Sequence, residues 1–503
     1  MFEIKDLSIF IYPRYLIKSL SLSLNKNDKL AIIGEEGNGK STLLKSILGL
    51  CEYADITGTI NLKNNKIGYL EQSINDKYLN YKVYDYLFTD DKDYYNKVNL
   101  LYKYINKLNI QDSLLEQNIN TLSGGEKVKI GLLKILLDEV DILFLDEPSN
   151  DLDIETLIWL ESFIKQETRP IVFISHDETL LSKTANCILH LEQIKRKTEP
   201  RHTFMKVNYD TYVETRLRKI SHQTQIAYNE KRNFKKAQDK LNQVMQRVEY
   251  EQKTISRKDP YGAACLKVKM RGLKAQEKKL EKIELTEVPD VEENINLYFE
   301  KIYIPKKKQI LSINIPKLTI SDKILSEDIE LNIVGNKHIC IIGKNGVGKT
   351  TLIKEIYNNL KDRKDIKLGY MPQVYEELFD KEENVIKFIC PTNNKEDITK
   401  SRMYLGNMNF TSSEMEGKIS ELSNGSKAKL IIAKLIIEKC NVLILDEPTR
   451  NVSPLSNPVI REALKEYGGT IISISHDRKY IKEVAEEVYE LKRNGLIAID
   501  KDI

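Results

Sequence analysis

A phosphate-binding loop occurs twice in this 503-residue chain. One loop runs from Gly34 to Ser41 and the other from Gly343 to Thr350, and in each a lysine and a hydroxyl residue follow three spaced glycines. Such glycines let backbone N–H groups approach phosphate oxygens, and the N-terminus of the following helix favours an anion. The lysine then contacts the β- and γ-phosphates, and the hydroxyl binds Mg²⁺. These residue types therefore indicate binding of a nucleoside triphosphate.

Three further motifs follow each loop in the same order. They are a serine in a short polar segment (LSGGE or LSNGS), an aspartate–glutamate pair after an apolar run, and a histidine after another apolar run. The corresponding residues lie 300 positions apart: Ser123 and Ser423, Asp146 and Asp446, Glu147 and Glu447, His176 and His476. One loop could match by chance, but four linked motifs repeated in order indicate a duplicated ATPase.

The two acidic pairs suit the hydrolysis of a phosphate anhydride. Asp146 and Asp446 follow apolar strands, where a carboxylate serves as a further ligand for Mg²⁺ beside the loop hydroxyl. Glu147 and Glu447 suit a general base that orients the attacking water. A helix cap is the alternative interpretation of either glutamate alone, and the duplication in the same context argues against it.

Short apolar segments surround these motifs in the order expected of a parallel sheet. Each loop follows one such segment, and others end at the acidic pairs or just before the histidines: 29–33, 140–145, 171–175, 338–342, 442–445 and 471–475. Strands that alternate with helices and carry polar residues at their C-terminal ends predict an α/β fold with ligand at the strand tips. We predict two tandem P-loop ATPase domains, residues 1–195 (the first repeat) and 291–503 (the second repeat).

Residues 196–290, here called the linker, have a different pattern. Between 216 and 252 there is no glycine or proline, and Pro260 and Gly262 then interrupt the chain. Apolar residues recur at intervals of three or four before and after this interruption: Phe234, Ala237, Leu241, Val244 and Val248, then Leu266, Met270, Leu273 and Leu280. This coiled-coil spacing predicts a helical hairpin that runs from about 208 to 254, turns near 255–262 and returns to about 284.

The linker is strongly basic, although the whole chain has a net charge of only +4. Residues 216–282 contain 19 Lys and Arg against 7 Asp and Glu, a net charge of +12. Such a charge predicts contact with nucleic acid or another anionic surface. A plain spacer is the alternative interpretation, but a spacer requires neither this length nor this charge.

Composition argues against several other classes of protein. The six cysteines have no spacing typical of zinc ligands, and we expect them to be small buried hydrophobic residues. The N-terminus has no basic segment followed by an apolar run and a cleavage site, and no stretch approaches the length of a membrane span. We therefore expect a cytoplasmic protein that does not cross a membrane.

The motifs together resemble the ATP-binding cassette family, and the resemblance covers both repeats almost completely. In that family two cassettes face each other head to tail, so each ATP contacts the loop of one and the LSGGE-type segment of the other. The resemblance implies a monomer with intramolecular pairing of its cassettes, and a γ-phosphate sensing role for Gln72, Gln373, His176 and His476. An aromatic residue often stacks on adenine in this family; Tyr12 and Tyr15 are the candidates in the first repeat, and the second offers no aromatic at Ile320.

The resemblance thus predicts two composite sites for ATP and Mg²⁺. The residues predicted to bind nucleotide are Gly34, Gly37, Gly39, Lys40, Ser41, Thr42 and Gln72 with Ser423 and Gly425 in one site, and Gly343, Gly346, Gly348, Lys349, Thr350, Thr351 and Gln373 with Ser123 and Gly125 in the other. The predicted metal ligands are Ser41, Gln72 and Asp146 in one site and Thr350, Gln373 and Asp446 in the other. The predicted catalytic residues are Glu147, Glu447, His176 and His476.

Two cassettes, no membrane domain and a charged helical linker together resemble the ABC-F group, whose members bind ribosomes rather than transport solutes. The segment from Glu447 to Asn457 (EPTRNVSPLSN) and the LSNGS motif are similar to the subgroup that protects ribosomes from antibiotics, the Vga/Lsa type. In LSNGS, Asn424 and Ser426 replace a glycine and a glutamate, so the site of Lys40 is expected to hydrolyse ATP differently from that of Lys349.

The resemblance implies that the protein binds the bacterial 70S ribosome, its 23S rRNA and tRNA. The linker is expected to enter the tRNA exit region and to counter lincosamides, streptogramin A compounds and pleuromutilins at the peptidyl-transferase centre, with ATP hydrolysis releasing the protein. Its tip residues predicted to contact RNA are Lys253, Arg257, Lys258 and Tyr261. The alternatives are a housekeeping ABC-F translation factor and the ATPase subunit of a transporter.

Overall fold

The first repeat folds into short strands that alternate with helices. The computed structural model describes residues 2–89, 94–195, 197–255, 259–283, 285–289, 291, 297, 299, 302–320, 323–380, 382–390 and 394–501. In chain order the elements up to residue 205 are β1 (Phe2–Ile11), β2 (Arg14–Leu24), β3 (Lys29–Ile33), α1 (Lys40–Ile47), β4 (Asp55–Asn61), β5 (Ile67–Leu70), α2 (Val83–Leu87), α3 (Tyr94–Leu108), α4 (Gly124–Leu137), β6 (Ile142–Asp146), α5 (Ile154–Gln166), β7 (Ile171–Ile174), α6 (Glu178–Thr184), β8 (Cys187–Ile194) and β9 (Glu199–Met205).

These strands form two sheets. The larger has the order β5-β6-β7-β3-β8-β9, in which β5 to β8 run parallel and β9 pairs antiparallel with β8. The smaller is antiparallel, with the order β2-β1-β4. Strand β9 completes the larger sheet although it follows residue 195, the predicted end of the first repeat.

The second repeat has the same six-stranded sheet, but its smaller antiparallel sheet has two strands among the described residues where the first repeat has three. After the linker its elements are β10 (Gln309–Ile320), β11 (Lys323–Val334), β12 (His338–Ile342), α9 (Lys349–Leu360), β13 (Leu368–Met371), α10 (Val385–Ile389), α11 (Lys395–Asn407), α12 (Ser412–Glu416), α13 (Asn424–Ile437), β14 (Val442–Asp446), α14 (Asn457–Lys465), β15 (Thr470–Ile474), α15 (Arg478–Val484), β16 (Glu487–Lys492) and β17 (Gly495–Ile499). Its six-stranded sheet has the order β13-β14-β15-β12-β16-β17, which matches the first strand for strand. Short 3₁₀ helices occur at Asp76–Tyr78, Asp112–Glu116, Ile119–Thr121, Tyr375–Glu377 and Ile419–Glu421.

The central strands are apolar because both of their faces are buried. Every residue of β3, β6, β12 and β14 is buried, as is expected where helices cover a parallel sheet on both sides. In the sheet registers Asp146 pairs with Ile174 and Asp446 pairs with Ile474, so each acidic pair and the histidine of the same repeat leave neighbouring strands at the same edge. The predicted α/β fold, with ligand-binding motifs at the strand tips, is confirmed.

The chain divides into two compact units. One comprises Met1–Asp210 with Glu292–Ile503, and therefore contains both repeats, whereas the other is Thr211–Val291 within the linker. Helices α7 (Tyr209–Thr254) and α8 (Pro260–Leu280) account for most of the second unit. The 46 residues of α7 would extend roughly 69 Å at 1.5 Å per residue.

The apolar stripes of the linker lie largely where the spacing predicts. Leu241, Val248 and Met270 are buried. The predicted seam residue Val244 is instead 41% exposed, and its neighbour Met245 is half-buried. A straight helix has 3.6 residues per turn, so a stripe drawn at 3.5 residues drifts off the buried face along a long helix.

Candidate nucleotide site

Each phosphate-binding loop joins a central strand of its sheet, β3 or β12, to a helix that begins at the loop lysine. In the first loop Gly34, Gly37 and Gly39 have φ of 139°, 84° and 90°, conformations that strongly favour glycine. A Cβ atom on Gly39 would also lie 3.1 Å from the side chain of Leu16. The glycines of the second loop repeat these conformations: Gly343, Gly346 and Gly348, with φ of 151°, 78° and 104°.

The loop lysines bend back over their own loops. Lys40 Nζ donates hydrogen bonds to the carbonyl oxygens of Gly34 and Glu35, at 2.7 and 3.0 Å. Lys349 Nζ does the same to Gly343 and Lys344, at 2.8 and 3.0 Å. Both lysines are buried, and burial lowers the pKa of Lys349. Each loop therefore holds an ammonium group over its backbone, where an anion would be bound.

A hydroxyl and a carboxylate meet beside each loop. Ser41 Oγ donates to Asp146 Oδ1 at 3.0 Å, and Thr350 is hydrogen-bonded to Asp446 in the same way. Burial raises the pKa of both aspartates, that of Asp446 to about 6. Asp446 Oδ2 is buried and has no hydrogen-bond partner among the described residues. Mg²⁺ prefers oxygen ligands, and this carboxylate oxygen, which has no hydrogen-bond partner among the described residues, is a suitable ligand for it.

The carboxylate of Glu147 is held by three side chains. Asn150 and Gln72 donate to its Oε2 at 2.5 and 3.2 Å, and His176 Nε2 lies 3.5 Å from its Oε1. Burial alone would raise the pKa of Glu147, but His176, Lys40 and Asn150 together lower it to about 2. Glu147 is therefore ionised at neutral pH, as a general base must be. Its φ of 50° is rare for a residue other than glycine, and such backbone strain clusters at functional sites.

Glu447 has the same left-handed backbone, with φ of 53°, but a different environment. The backbone N–H of His476 donates to its Oε2 at 3.3 Å, and Arg450 occupies the position that corresponds to Asn150. Burial and the neighbouring Asp446 raise the pKa of Glu447 to about 8. Burial and Lys349 lower the pKa of the His476 imidazole to about 3. At neutral pH Glu447 is therefore mostly protonated and His476 is neutral.

Both repeats contribute to each of two clefts at the strand tips. Cleft 2, of about 1040 Å³, is lined on one side by Gly346, Gly348, Lys349, Thr350, Thr351, Gln373, Asp446, Glu447 and His476, and on the other by Ser123, Gly124 and Glu126. Cleft 1, of about 530 Å³, is lined by Gly37, Gly39, Lys40, Ser41, Thr42, Gln72, Glu147 and His176, and by Asn424 and Asn451 from the second repeat. Both volumes lie near the range of small-molecule sites, about 300–1,000 Å³.

Several predicted nucleotide contacts lie outside the described lining of these clefts. The carbonyl oxygens of Gly34 and Gly343 accept hydrogen bonds from the loop lysines, and neither glycine is among the described residues that line its cleft. Gly125 is packed against Thr156, whose Oγ1 would be 2.7 Å from a Cβ atom on that glycine. Ser423 and Gly425 flank the lining residue Asn424. An acidic side chain of the first loop already binds this segment, since the backbone N–H of Gly425 donates to Glu36 Oε2 at 2.5 Å.

The two histidines differ in what they bind across the repeats. His176 lines both clefts, and its Nδ1 lies 2.8 Å from the carbonyl oxygen of Val452 in the second repeat. The corresponding atom, His476 Nδ1, is buried without a hydrogen-bond partner in the described structure. The clefts are therefore related in sequence but unequal in geometry.

Tyr12 is the better placed of the two aromatic candidates for adenine. It lines cleft 1 and is 87% exposed, so its ring is accessible to a ligand. Tyr15 instead packs edge-on against Phe10, with ring centroids 4.9 Å apart. Ile320 lines cleft 2 at the corresponding position.

A sequence model of the ABC transporter family matches residues 17–150 and 326–450, together a little over half of the chain. The chain belongs to this family. The two matched segments each contain a phosphate-binding loop and an acidic pair, and the ATP-binding domains of the family are ATPases.

Relatives that match nearly the whole of this ABC protein include ABC-F-type ATP-binding proteins. The chain is 29% identical to the ATP-binding protein Uup of Buchnera aphidicola, over 99% of this chain and 81% of that protein. It is 28% identical to the ATP-binding protein YfmM of Bacillus subtilis, over 97% of both, and 27% identical to ABC transporter F family member 5 of Arabidopsis thaliana, over 95% of this chain and 73% of that one.

Solved structures of other ABC proteins share the fold. An archaeal ribosome recycling factor, aABCE1 in complex with the ribosomal stalk protein aP1, superposes with a TM-score of 0.60 and 16% identity, over 98% of this chain and 90% of that chain. RNase-L inhibitor gives a TM-score of 0.57 at the same identity and coverage. At this identity the likeness concerns the fold of the paired ABC domains alone.

Two of the four predicted tip residues of the linker lie in described helices, at the end of α7 and the start of α8. Lys253 is in the last turn of α7, and Tyr261 is 81% exposed at the start of α8. Arg257 and Lys258 lie outside the described residues. Within the described part of the chain, no helix of this ABC protein combines the length and the apolar character required to span a membrane.

Sequence reasoning missed the residues that distinguish the two clefts. Asn150 orients Glu147, and Arg450 replaces it; an alignment of the repeats at their 300-residue offset would have revealed this substitution. Glu36 and Val452 were also missed, because each makes its contact across the repeats and no local pattern marks it.

Proposed function

We propose that the protein is an ATP-driven, ribosome-binding factor of the ABC-F type, acting as a cytoplasmic monomer whose two repeats pair within the chain. The observation that carries the proposal is the linker, in which long helices α7 and α8 bear most of a segment with 19 basic and 7 acidic residues. The ATPase subunit of a transporter would need a surface that couples it to a membrane partner. A long basic helical pair suits a polyanionic target instead. The ABC-F-type relatives and the fold shared with a ribosome recycling factor support the same conclusion.

The two clefts supply the chemistry of the cycle. Lys40 and Lys349 would neutralise phosphate charge. Ser41 with Asp146, and Thr350 with Asp446, would hold Mg²⁺, which would withdraw charge from the phosphates. Gln72 and Gln373 complete the two metal sites. Glu147 accepts the proton of the attacking water, Glu447 does so when it is ionised, and His176 and His476 orient those carboxylates.

Nucleotide would couple the two repeats because each cleft takes residues from both. A ligand that contacts both walls of a cleft binds the closed arrangement better than the open one, and so shifts the population toward closure. Hydrolysis removes that preference and lets the repeats separate. Binding to the ribosome would then follow ATP binding, and release would follow hydrolysis.

The basic linker would bind RNA mainly through phosphate contacts. Lys and Arg release counterions from the RNA, so affinity should fall steeply as salt rises. Exposed tyrosines near the tip, Tyr250 at 68% and Tyr261 at 81%, offer flat faces on which unpaired bases can stack. The tip residues proposed to contact 23S rRNA or tRNA are Lys253, Arg257, Lys258 and Tyr261.

The finer proposal is protection of the bacterial 70S ribosome from drugs at the peptidyl-transferase centre. The hairpin would enter the vacant tRNA exit region and displace lincosamides, streptogramin A compounds or pleuromutilins. The support is the segment from Glu447 to Asn457, which resembles that subgroup. A housekeeping ABC-F translation factor is the second candidate, and the ABC-F-type relatives are equally consistent with it.

The deciding experiment measures growth inhibition by the three drug classes in a sensitive bacterium that expresses the chain. The matched control carries Glu147→Gln and Glu447→Gln. Resistance with the wild type and none with the control would support ATP-driven protection. Confirmed expression and ribosome binding without resistance would favour the housekeeping factor.

A second measurement tests ribosome binding itself. The Glu147→Gln/Glu447→Gln variant should remain on ribosomes during sedimentation in ATP, because it binds nucleotide without turning it over. If it sediments with ribosomes no better than the wild type, the proposed cycle is wrong.

A further inference from the structure

Three pairs of corresponding positions carry opposite charges in the two repeats. Positions 161 and 461 are glutamate and arginine, positions 178 and 478 are also glutamate and arginine, and positions 183 and 483 are lysine and glutamate. Two of these positions form an ion pair within each repeat. Lys183 pairs with Glu161 at 3.0 Å in the first repeat, and Glu483 pairs with Arg461 at 2.7 Å in the second. The duplicated elements therefore keep the same internal pair with its sign reversed.

Four of these residues pair across the repeats. Arg461 in α14 binds Glu178 at the start of α6, and Arg478 at the start of α15 binds Glu161 in α5. This reciprocal set, Glu161, Glu178, Arg461 and Arg478, is here called the charge quartet. Its members are 4%, 5%, 2% and 9% exposed.

Neighbouring charges reinforce the same polarity. Lys479 Nζ is 3.0 Å from Glu178, and Asp177 lies 3.8 Å from Arg478. Further from the quartet, second-repeat bases also meet first-repeat acids: Lys429 with Glu35, Lys344 with Glu155, and Arg450 with Asp151. One ion pair between described residues of the two repeats has the reverse polarity: Lys197, in the turn between β8 and β9, binds Glu414 of the second repeat.

The quartet is separate from the nucleotide chemistry. None of its four members is among the described residues that line cleft 1 or cleft 2. Buried ion pairs are weak contributors to stability, because apolar residues of similar size often stabilise as much or more. Buried ion pairs contribute more to specificity, because association with an incorrect partner leaves a buried charge unpaired or beside a like charge, which is strongly unfavourable.

We propose that the charge quartet makes each repeat selective for the unlike repeat, so that the second repeat of the same chain is the partner of the first. Two first repeats in this arrangement would bury glutamate against glutamate, and two second repeats would bury arginine against arginine. Pairing between identical repeats of different chains is thereby excluded.

The test exchanges the three positions between repeats in the full-length chain. The first variant carries Glu161→Arg, Glu178→Arg and Lys183→Glu; the second carries Arg461→Glu, Arg478→Glu and Glu483→Lys; a third combines all six. Glu116→Arg, at the exposed Lys82–Glu116 pair with side chains 53% and 77% exposed, controls for charge reversal as such. Hydrogen exchange of α6 and α15 without nucleotide reports the contact, and light scattering reports the mass.

Each three-position variant should exchange these helices about tenfold faster or more than the wild type, and the control should exchange like the wild type. The six-position variant should recover most of the protection but not all of it, because Lys479 and Asp177 keep their charges beside the exchanged positions. An equimolar mixture of the two three-position variants should form a particle of two chains, because each then offers the repeat that the other requires. If a three-position variant fails to fold, recovery in the six-position variant supports the proposal. Wild-type exchange in both three-position variants, or no recovery in the six-position variant, would overturn it. No ribosome enters the assay, so its failure is distinct from failure of the proposed function.

Discussion

The imidazole Nδ1 of His176 lies 2.8 Å from the carbonyl oxygen of Val452. The other nitrogen of the same ring lies 3.5 Å from Glu147. One side chain of the first repeat thus contacts both the general base of its own cleft and the backbone of the second repeat. Glu147 and the backbone of the second repeat therefore contact the same ring.

We expect His176→Ala to destabilise the protein more than His476→Ala. The first substitution leaves the Val452 carbonyl without its buried partner, at a cost of about 1–3 kcal/mol. The second removes a ring whose Nδ1 is buried and already without a partner in the described structure. Urea unfolding of the two variants without nucleotide measures the difference. Equal losses would show that the His176–Val452 contact contributes nothing.

The two general bases should give different pH profiles of ATP hydrolysis. A base acts only when it is ionised, and the pKa of Glu447 is raised to about 8 whereas that of Glu147 is lowered to about 2. Glu147→Gln, which relies on Glu447, should gain activity up to about pH 8. Glu447→Gln should be nearly constant from about pH 6 to 9. The double variant supplies the background, and parallel profiles for the two single variants would contradict the assignment.

The same pKa shifts predict opposite effects of pH on stability. The folded-state pKa of Glu447, about 8, exceeds its ordinary value of 4.5, so the stability it contributes is full below about pH 4.5 and is lost as pH rises through 8. The pKa of Glu147 is lowered, so its contribution is present above about pH 4.5 and is lost as pH falls toward 2. Glu447→Gln should therefore reduce the alkaline loss of stability, and Glu147→Gln the acid loss. Thermal unfolding across this range checks both signs, and a shift of about 3 °C per kcal/mol is expected for a domain of this size.

The sequence predicted the parts of the site that local patterns determine. The strand before Gly34, the loop and the helix from Lys40 lie where the apolar run and the glycines predict, because backbone conformation there is set by neighbouring residues. The helical linker was predicted for the same reason, apart from the exposed Val244. The contacts of His176 with Val452 and of Glu36 with Gly425 join residues far apart in the chain, and no periodicity records them.

Two glycines of the first loop should differ in their sensitivity to alanine. Gly37 and Gly39 both have positive φ, of 84° and 90°, so alanine is strained at either position. A Cβ atom on Gly39 would also press on Leu16 at 3.1 Å, whereas one on Gly37 meets no atom within 4 Å. Gly39→Ala should therefore lower stability and ATP binding more than Gly37→Ala. Titration with a fluorescent ATP analogue, alongside thermal unfolding, makes the comparison; an equal loss would assign the whole effect to backbone strain.

The first loop should bind nucleotide less tightly than the second because of Glu36. This carboxylate lines cleft 1 and accepts the backbone N–H of Gly425, whereas the corresponding residue of the second loop is the neutral Asn345. A carboxylate beside the phosphates repels them, and it also occupies an N–H of the LSNGS segment. Glu36→Asn should tighten ATP binding at cleft 1 by about tenfold, equivalent to about 1.4 kcal/mol.

The binding measurement requires each cleft to be titrated alone. Lys349→Ala silences cleft 2 for the Glu36→Asn comparison, and Lys40→Ala silences cleft 1 for the reciprocal Asn345→Glu, which should weaken binding at cleft 2. The gain at cleft 1 should shrink as salt rises, because screening reduces the repulsion that Glu36 exerts. An affinity that does not change with Glu36→Asn at low salt would mean that the bond to Gly425 stabilises the bound state as much as the carboxylate repels the phosphates.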